Sequence, residues 1–499
     1  MKHNHQPWAF ADTSLERSFL WSLAITTLPV IASFIVSWVI ARWSGPAILG
    51  TVSWVMAFAT ACLIVGKFGI EVAASRIASE YGVKQPGHLR ALYRAGLELR
   101  SAFTIPVALA ALLFANQVAS FFGDAALALP IRVGALIIFC ASFYEFNEHF
   151  LIGLNRFSIL YSVRAVYQLL RVAATVAIVA AGLGAASILG GYVAAWCAGI
   201  ALFAGLLLRY LPAGETAPGE SSVRRRLLRL SVPLAVSGAS VAIYAQMDKI
   251  MLGYFCSMEE VGQYTVGRNV VEVSLFPVFA VIMTLRPALA ARFTRGELGQ
   301  CETIIRKTLF VSLLSGVLFA AVFFVFGPQL VVFVFSESFH YAGILMGLFL
   351  WVILMRSLGA VILPALIAAE RATVYAYLTL ASAAANFILN LFLIPHFQAR
   401  GAITATLISY GFLLILGLYF VMRTFTIEVS ASHIVKSLKV IAAGVATSVL
   451  FRLLFPGPSP QASVLLFSCL MAVFYAVCLL LLRVVSLREL KQSRNAFRE

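Results

Sequence analysis

The chain has 499 residues, of which 61% are hydrophobic and only 12% charged, with a mean hydropathy of +0.94 and a formal net charge of +16. A soluble domain carries about 25% charged residues, so this composition excludes a soluble globular protein. Apolar runs of about 20 residues, the length that spans a bilayer, recur along the whole chain. They do not alternate with polar residues as barrel strands do, so we predict an all-α polytopic membrane protein.

Fourteen candidate spans follow one another along the chain. Their approximate limits are residues 18–42, 47–70, 98–122, 128–152, 159–182, 187–209, 230–253, 262–285, 305–327, 341–368, 373–395, 400–422, 434–455 and 462–483. The run over 19–40 is too long for a signal-peptide core and lacks a small-residue cleavage site after it. We therefore expect it to stay as the first helix.

The loops between these spans sort by charge. Loops rich in Lys and Arg, such as 76–94 and 223–229, alternate with short loops nearly free of them, such as 43–47 and 255–261. Basic loops stay in the cytoplasm, so both termini are predicted to be cytoplasmic. The positive charge is explained by this topology and gives no reason to expect a nucleic-acid partner.

A weak internal repeat surrounds the one polar linker, residues 211–223, which is rich in Pro, Gly, Glu and Ser. The first copy reads Leu28-Pro29-Val30, Ser33 and Ala41-Arg42, and the second reads Val232-Pro233-Leu234, Ser237 and Ala245-Gln246. In each copy a glycine, Gly50 or Gly262, opens the next span. An even number of spans separates the copies, so they insert with the same orientation.

The repeat predicts four parts. Residues 1–211 form an N-terminal lobe of six helices, and residues 212–226 are a cytoplasmic linker. Residues 227–424 form a parallel C-terminal lobe of six helices. Residues 425–499 supply two extra helices and a basic cytoplasmic tail.

The sequence offers no catalytic set. The seven histidines are scattered, the seven cysteines have no metal-site or disulfide spacing, and a Gly-x-x-x-x-Gly-Lys phosphate loop is absent. We expect no enzyme activity, no metal site and no cofactor. Transport energy would then come from a Na+ or H+ gradient, the membrane potential or the substrate gradient.

A polar stripe follows one face of the seventh span. Its members are Ser237, Ser240, Tyr244 and Asp248, spaced three, four and four residues apart. This spacing puts them on one helix face, and such a stripe normally faces other protein or a water-filled cavity.

Charges inside spans are costly in lipid, so each marks either a functional site or a structural ion pair. Lys67 and Glu71 lie four residues apart on the second span, which suits a local ion pair or a cavity-lining pair. Arg164 and Arg171 share a face of the fifth span with Gln168 between them. Two guanidinium groups on one face suit phosphate oxygens.

The alternative for these arginines is salt bridging to the preceding span, which carries Glu145, Glu148 and His149.

In the second half, Asp248, Arg268 and Glu272 lie at comparable depth. Asp248 is predicted either to pair with Arg268 or to respond to protons or sodium during transport.

Arg356 falls in the middle of the tenth span, where a cation is most expensive, and Pro364 beyond it can kink the helix. We expect this side chain to point away from lipid. Whether it contacts substrate stays open at this stage.

Three stretches carry a family resemblance. The first is Ala41-Arg42-Trp43-Ser44-Gly45-Pro46 with Gly50-Thr51, the second is Asp248-Lys249-Ile250-Met251-Leu252-Gly253 with Val261-Gly262-Gln263-Tyr264, and the third is Asn386-Phe387-Ile388-Leu389-Asn390 with Ile394-Pro395 and Gly401-Ala402-Ile403-Thr404-Ala405-Thr406. In order and spacing they resemble the polysaccharide-transporter, or lipid-linked oligosaccharide flippase, branch of the multidrug/oligosaccharidyl-lipid/polysaccharide (MOP) exporter superfamily. One departure is Arg400, which stands where many relatives have Gly.

The resemblance implies two six-helix lobes in a V around a central cavity, with alternating access. It also implies a bacterial inner-membrane protein that moves an undecaprenyl-diphosphate-linked repeat unit to the periplasmic leaflet for O-antigen, capsule or exopolysaccharide synthesis. Membrane lipids surround such a protein, and a glycan polymerase or glycosyltransferases are further candidate partners.

Cationic cavity residues are expected in this branch, although the motifs assign none of them. The substrate-binding candidates from the residues themselves are Lys67, Arg164, Arg171, Arg268 and Arg356, and the coupling candidates are Glu71, Asp248 and Glu272. Alternatives are a multidrug-type cation antiporter, which would need an acidic cavity and normally has twelve spans, a lipid II flippase, and a non-transport scaffold of a glycan synthase complex.

Overall fold

The computed structural model describes residues 15–211, 220–427, 430–455 and 463–482, and all regular elements in these ranges are helices. Those of the first half are α1 (Leu15–Lys67), α2 (Ile70–Lys84), α3 (Leu89–Leu113), α4 (Ala115–Phe121), α5 (Ala128–Gly153), α6 (Phe157–Ala180), α7 (Ala185–Tyr210) and α8 (Glu220–Phe255). Those of the second half are α9 (Met258–Ser274), α10 (Phe276–Thr294), α11 (Leu298–Val334), α12 (His340–Gly359), α13 (Ile362–Ala368), α14 (Ala372–Phe425), α15 (Ala431–Leu454) and α16 (Val464–Leu481). Short 3₁₀ turns lie at Pro86–His88, Ala125–Leu127 and Glu337–Phe339.

Ten helical segments in the described part of the chain are long and apolar enough to cross a membrane. Two helices are broken inside, α1 at Gly45 (φ 82°) and α14 at Gln398 (φ 54°). Each break falls between two predicted spans, and each lies within a few residues of a proline, Pro46 or Pro395. The helical membrane fold is therefore as predicted, while the count of fourteen helices stays a prediction.

The described residues form two compact units that meet in sequence between Gly262 and Gln263. Helix α8 belongs to the first unit because it packs against α1, α2 and α3. The lobe boundaries predicted from the repeat, 1–211 and 227–424, remain a prediction.

In the first unit, α5 packs against α1, α2, α3 and α7. Its small and aromatic residues explain this position. Gly134 and Gly153 let neighbouring helices approach closely, while Phe146 and Phe150 are fully buried.

In the second unit, α11 and α12 pack along each other, and α10, α13 and α14 enclose a core around Leu289, Ile362 and Phe425. The two C-terminal helices, α15 and α16, pack on α11 through Val317 and Tyr475.

Candidate functional site

The break between α1 and α2 builds one end of the charged region in the first unit. Phe68 (φ 48°) and Gly69 (φ 67°) both adopt left-handed backbone conformations there. Ending a helix leaves carbonyl groups without intrahelical partners. Two side chains of α3 supply donors: Thr104 Oγ1 donates to the Gly66 carbonyl at 3.1 Å, and Arg100 Nη1 donates to the Lys67 carbonyl at 3.0 Å.

Arg100 is fully buried and was missed by the sequence analysis. Its guanidinium donates to Glu71 Oε2 at 2.5 Å, to Ser142 Oγ at 2.6 Å and to the Ser142 carbonyl at 3.0 Å. A buried cation is tolerated when it is paired and hydrogen-bonded in this way. The available signal was Gly96 and Thr104, small residues one turn either side of Arg100, which indicate a closely packed helix face.

Lys67 forms an ion pair with Glu145 of α5, not with Glu71. The carboxylate of Glu71 is taken by Arg100. The local pair that the four-residue spacing suggested is thus replaced by two interhelical pairs. Lys67 and Glu145 both remain partly exposed, so they keep access to solvent or to a ligand.

Arg164 of α6 is held by Glu148 of α5 in a two-pronged ion pair. Its Nε donates to Oε1 at 2.8 Å and its Nη2 to Oε2 at 2.9 Å. Glu148 is buried. This geometry favours the structural alternative for Arg164, because a planar guanidinium that matches one carboxylate has little capacity left for a second anion.

Arg171, two turns further along α6, is in a different situation. Its Nη2 donates to Ser33 Oγ of α1 at 3.0 Å, and its guanidinium carbon lies 5.8 Å from the Tyr167 ring centroid and 5.7 Å from that of Tyr192. Its buried Nε has no hydrogen-bond partner. Among the described residues, no carboxylate pairs with Arg171, so this cation retains donor capacity for an anion.

Asp248 lies on α8 in the first unit and is only 4% exposed. The side chains of Ser237, Ser240 and Tyr244, which were predicted to continue the stripe from Asp248, lie outside the described part of the structure. Arg268 lies on α9 in the second unit, one turn before Glu272, and is partly buried.

Arg356 of α12 pairs with Glu272 of α9, a pairing that the sequence analysis did not foresee. Nη1 donates to Oε1 at 2.6 Å and Nη2 to Oε2 at 3.3 Å. Its guanidinium carbon also lies 5.8 Å from the Tyr410 ring centroid. Helix α12 ends at Gly359 and α13 begins at Ile362, so the break expected from Pro364 falls one turn before it, where proline removes a hydrogen bond.

A cavity of about 260 Å³ in the second unit opens beside Arg356. Its other walls are mostly apolar and aromatic, and they include Leu275, Met355, Pro364, Tyr375 and Tyr410. Arg356 therefore lies on the wall of an apolar cavity with its charge balanced by Glu272.

The third sequence motif joins the two halves of α14. Asn390 Nδ2 donates to Asn386 Oδ1 at 3.0 Å, and Asn386 Nδ2 donates to Thr406 Oγ1 at 3.4 Å. Arg400, the departure from the family pattern, has its guanidinium carbon 5.8 Å from the Tyr341 ring centroid. In the described residues, no group of three His, Cys, Asp or Glu side chains is placed to hold a metal ion.

A sequence profile of a family described as polysaccharide biosynthesis protein matches residues 15–293, more than half of the chain. The chain belongs to this family. A second profile, described as MatE, matches residues 233–392. The resemblance to the polysaccharide-transporter branch is therefore confirmed at the level of the family.

One curated relative is the probable low-salt glycan biosynthesis flippase Agl15 of Haloferax volcanii. The two sequences are 25% identical over 210 residues, which cover 42% of this chain and 44% of the relative. The match thus spans less than half the length of that relative.

Solved structures share the fold at low identity. The lipid II flippase MurJ in an inward closed conformation has a TM-score of 0.71 at 13% identity, covering 92% of this chain and 98% of that one. An inward-facing multidrug resistance MATE family transporter of the MOP superfamily has a TM-score of 0.67 at 14% identity, covering 81% and 98%. A MOP superfamily transporter from Pyrococcus furiosus, described as having a binding pocket of reverse polarity, has a TM-score of 0.57 at 13% identity, covering 82% and 94%. The chain therefore shares its fold with these membrane transporters.

Proposed function

We propose that this protein flips an undecaprenyl-diphosphate-linked oligosaccharide repeat unit from the cytoplasmic to the periplasmic leaflet of a bacterial inner membrane. The product would supply O-antigen, capsule or exopolysaccharide synthesis, with both termini of the flippase in the cytoplasm. Movement would occur by alternating access, without ATP hydrolysis by this chain. A glycan polymerase or glycosyltransferases would act as partners at either side of the step.

The observation that carries this proposal is Arg171. A lipid-linked diphosphate brings negative charge into the membrane, where an anion needs hydrogen-bond donors and a counter-charge. The guanidinium of Arg171 contacts Ser33, Tyr167 and Tyr192, and no carboxylate among the described residues balances its charge. A guanidinium binds phosphate oxygens through such donors.

The remaining candidate cations divide by how their charge is balanced. Arg164 and Arg356 are matched to Glu148 and Glu272 by two hydrogen bonds each, which suits a structural role. Lys67 and its partner Glu145 are partly exposed. We therefore rank Arg171 first and Lys67 second as contacts for the diphosphate. Arg268 remains a candidate for contacts with the rest of the substrate. Arg356 remains one as well, because it lies on the cavity wall in addition to its pairing with Glu272.

The test is a flipping assay in proteoliposomes with a defined undecaprenyl-diphosphate-linked oligosaccharide. Arg171→Ala should lower the initial rate at least about tenfold, because a charge-assisted contact to phosphate contributes roughly 1.5–3 kcal/mol. Arg171→Lys should keep part of the rate, since it keeps the charge but loses the planar donor set. Arg132→Ala removes an exposed arginine bonded only to Asn116 in the structure and serves as the matched control.

An unchanged rate in Arg171→Ala would remove Arg171 from the substrate site. Transport of lipid II, but not of the oligosaccharide, would replace the proposal by the lipid II alternative. Export of a cationic drug in exchange for ions, with neither lipid moved, would favour the antiporter. If the wild-type protein moves none of these, the scaffold alternative remains, and co-purification with a glycosyltransferase or polymerase tests it.

A further inference from the structure

Gly50 of α1 and Gly262 of α9, which occupy counterpart positions in the repeat, lie where these two helical segments touch. A Cβ built on Gly50 would lie 2.7 Å from the carbonyl carbon of Met258, closer still to its oxygen, and 2.9 Å from the Gly262 nitrogen. A Cβ built on Gly262 would lie 2.8 Å from the carbonyl carbon of Pro46 and again closer to the oxygen. Each glycine thus lies against the carbonyl four residues before the other glycine.

These contacts are backbone against backbone. A clash with the end of a flexible side chain can be relieved by a rotamer change, but a peptide carbonyl inside a helix has no such freedom. Small residues are what allow membrane helices to approach this closely, and Cα–H groups then contact carbonyl oxygens. Only glycine fits at either position while the two segments stay together.

Aromatic side chains surround the same junction. Tyr254 of α8 packs against Phe121 and Phe122, with ring centroids 5.0 and 5.8 Å apart, and Phe122 lies 4.6 Å from Trp54. Trp54 is completely buried, and its indole ring lies where a Cβ of Gly253 would stand. Gly50 and Gly262 are themselves buried, while Tyr254 and Phe121 lie at the exposed edge of this aromatic cluster.

We infer that the reciprocal contact of Gly50 and Gly262 is a closure that seals the outer end of the transport path and must separate in each cycle. This inference rests on the proposed function, because only a transporter that alternates needs the junction to part. Its place at the outer end follows from the loops beside it, residues 43–47 and 255–261, which are nearly free of Lys and Arg. A junction that has one closely packed arrangement and otherwise separates behaves as a two-state element.

Alanine at either glycine should favour the separated state without removing any polar group. Val261 is completely buried beside Gly262, so Val261→Cys reports on opening with little change in volume. Burial raises the pKa of the neighbouring Cys256 thiol to about 11, with a further contribution from Glu260. The substitution Cys256→Ser removes this thiol, so that maleimide labelling in the loop reports on position 261. The reporter protein is reacted in intact cells with a maleimide that does not cross membranes.

Gly50→Ala and Gly262→Ala should each raise the labelling rate of Cys at position 261 by about tenfold, which corresponds to about 1.4 kcal/mol. The matched control is Gly205→Ala on α7, where a Cβ meets no atom within 4 Å. In this control, the labelling rate should equal that of the reporter protein without any glycine substitution. Equal labelling in all variants would overturn the inference.

A second pair of variants tests the closure even if Gly50→Ala and Gly262→Ala fail to fold. Gly253→Ala clashes only with the Trp54 ring, so it should also raise labelling, and adding Trp54→Leu should bring the rate back. Failure of that rescue, with both proteins folded, would contradict the closure. Labelling needs no glycan substrate. A flat labelling result therefore overturns the closure alone, whereas raised labelling in the variants, with no flipping of the oligosaccharide by the wild-type protein, overturns the proposed function alone.

Discussion

At the scale of single residues, the charges of the first unit differ in what balances them. Arg100 is fully buried and bonded to Glu71 and Ser142, whereas Arg171 is bonded to a hydroxyl and two aromatic faces. A buried charge with a matched partner mainly holds helices in place. A charge without a carboxylate is available for an anionic ligand.

Removing Arg100 alone should be strongly destabilising. Arg100→Met leaves the Glu71 carboxylate buried without its partner, and breaking such a pair costs about 3–5 kcal/mol. The melting temperature of the purified protein in detergent should fall by many degrees. The double variant Arg100→Met with Glu71→Gln should recover part of that loss, because the uncompensated charge is gone.

Arg224→Ala is the control for this experiment. Arg224 pairs with Glu98, but both side chains are more than half exposed, and such pairs contribute about 0–1 kcal/mol. Its melting temperature should stay close to that of the wild-type protein. An Arg100→Met protein as stable as the Arg224→Ala protein would contradict the structural role of Arg100.

At the scale of elements, the sequence predicts where helices run better than which side chains pair. Apolar length indicates which segments are membrane helices but not their limits, since α9 ends at Ser274 inside the predicted span 262–285. The breaks at Gly45 and Gly69 reflect backbone conformations that glycine adopts easily. The partner of Lys67 is different, because Glu71 and Glu145 were both within plausible reach. The choice of Glu145 depends on Arg100 occupying Glu71, and that is decided by the packing of α3 against α2 and α5.

The C-terminal helices give a prediction at this scale. Gly444 of α15 packs against Val317 of α11, and Val445 beside it is exposed to the surroundings of the helix. Gly444→Leu should push α15 away from α11, and overpacking of this kind costs about 1–3 kcal/mol. Thermal unfolding should show a lower melting temperature, while Val445→Leu should leave it unchanged.

The flipping rate of the folded Gly444→Leu protein should match that of the wild type, since α15 and α16 lie outside the predicted repeat. A lost rate in a protein that is still folded would instead give these two helices a direct role in transport.

At the scale of the whole molecule, uphill transport needs a source of free energy. Asp248 is a buried side chain on α8, the helix that opens the second copy of the predicted repeat. We propose, as one of two interpretations, that Na+ or H+ acts at Asp248 during transport. The competing interpretation is a fixed ion pair with Arg268.

Asp248→Asn separates these two interpretations in the proteoliposome assay. If Asp248 couples transport to an ion, flipping by the wild-type protein should rise when a proton or sodium gradient is imposed, and flipping by Asp248→Asn should be independent of both gradients. If Asp248 only pairs with Arg268, wild type and variant should respond to the gradients alike, and the variant should lose stability instead. Equal wild-type rates with and without either gradient would remove ion coupling and leave the substrate gradient or the membrane potential as the driving force.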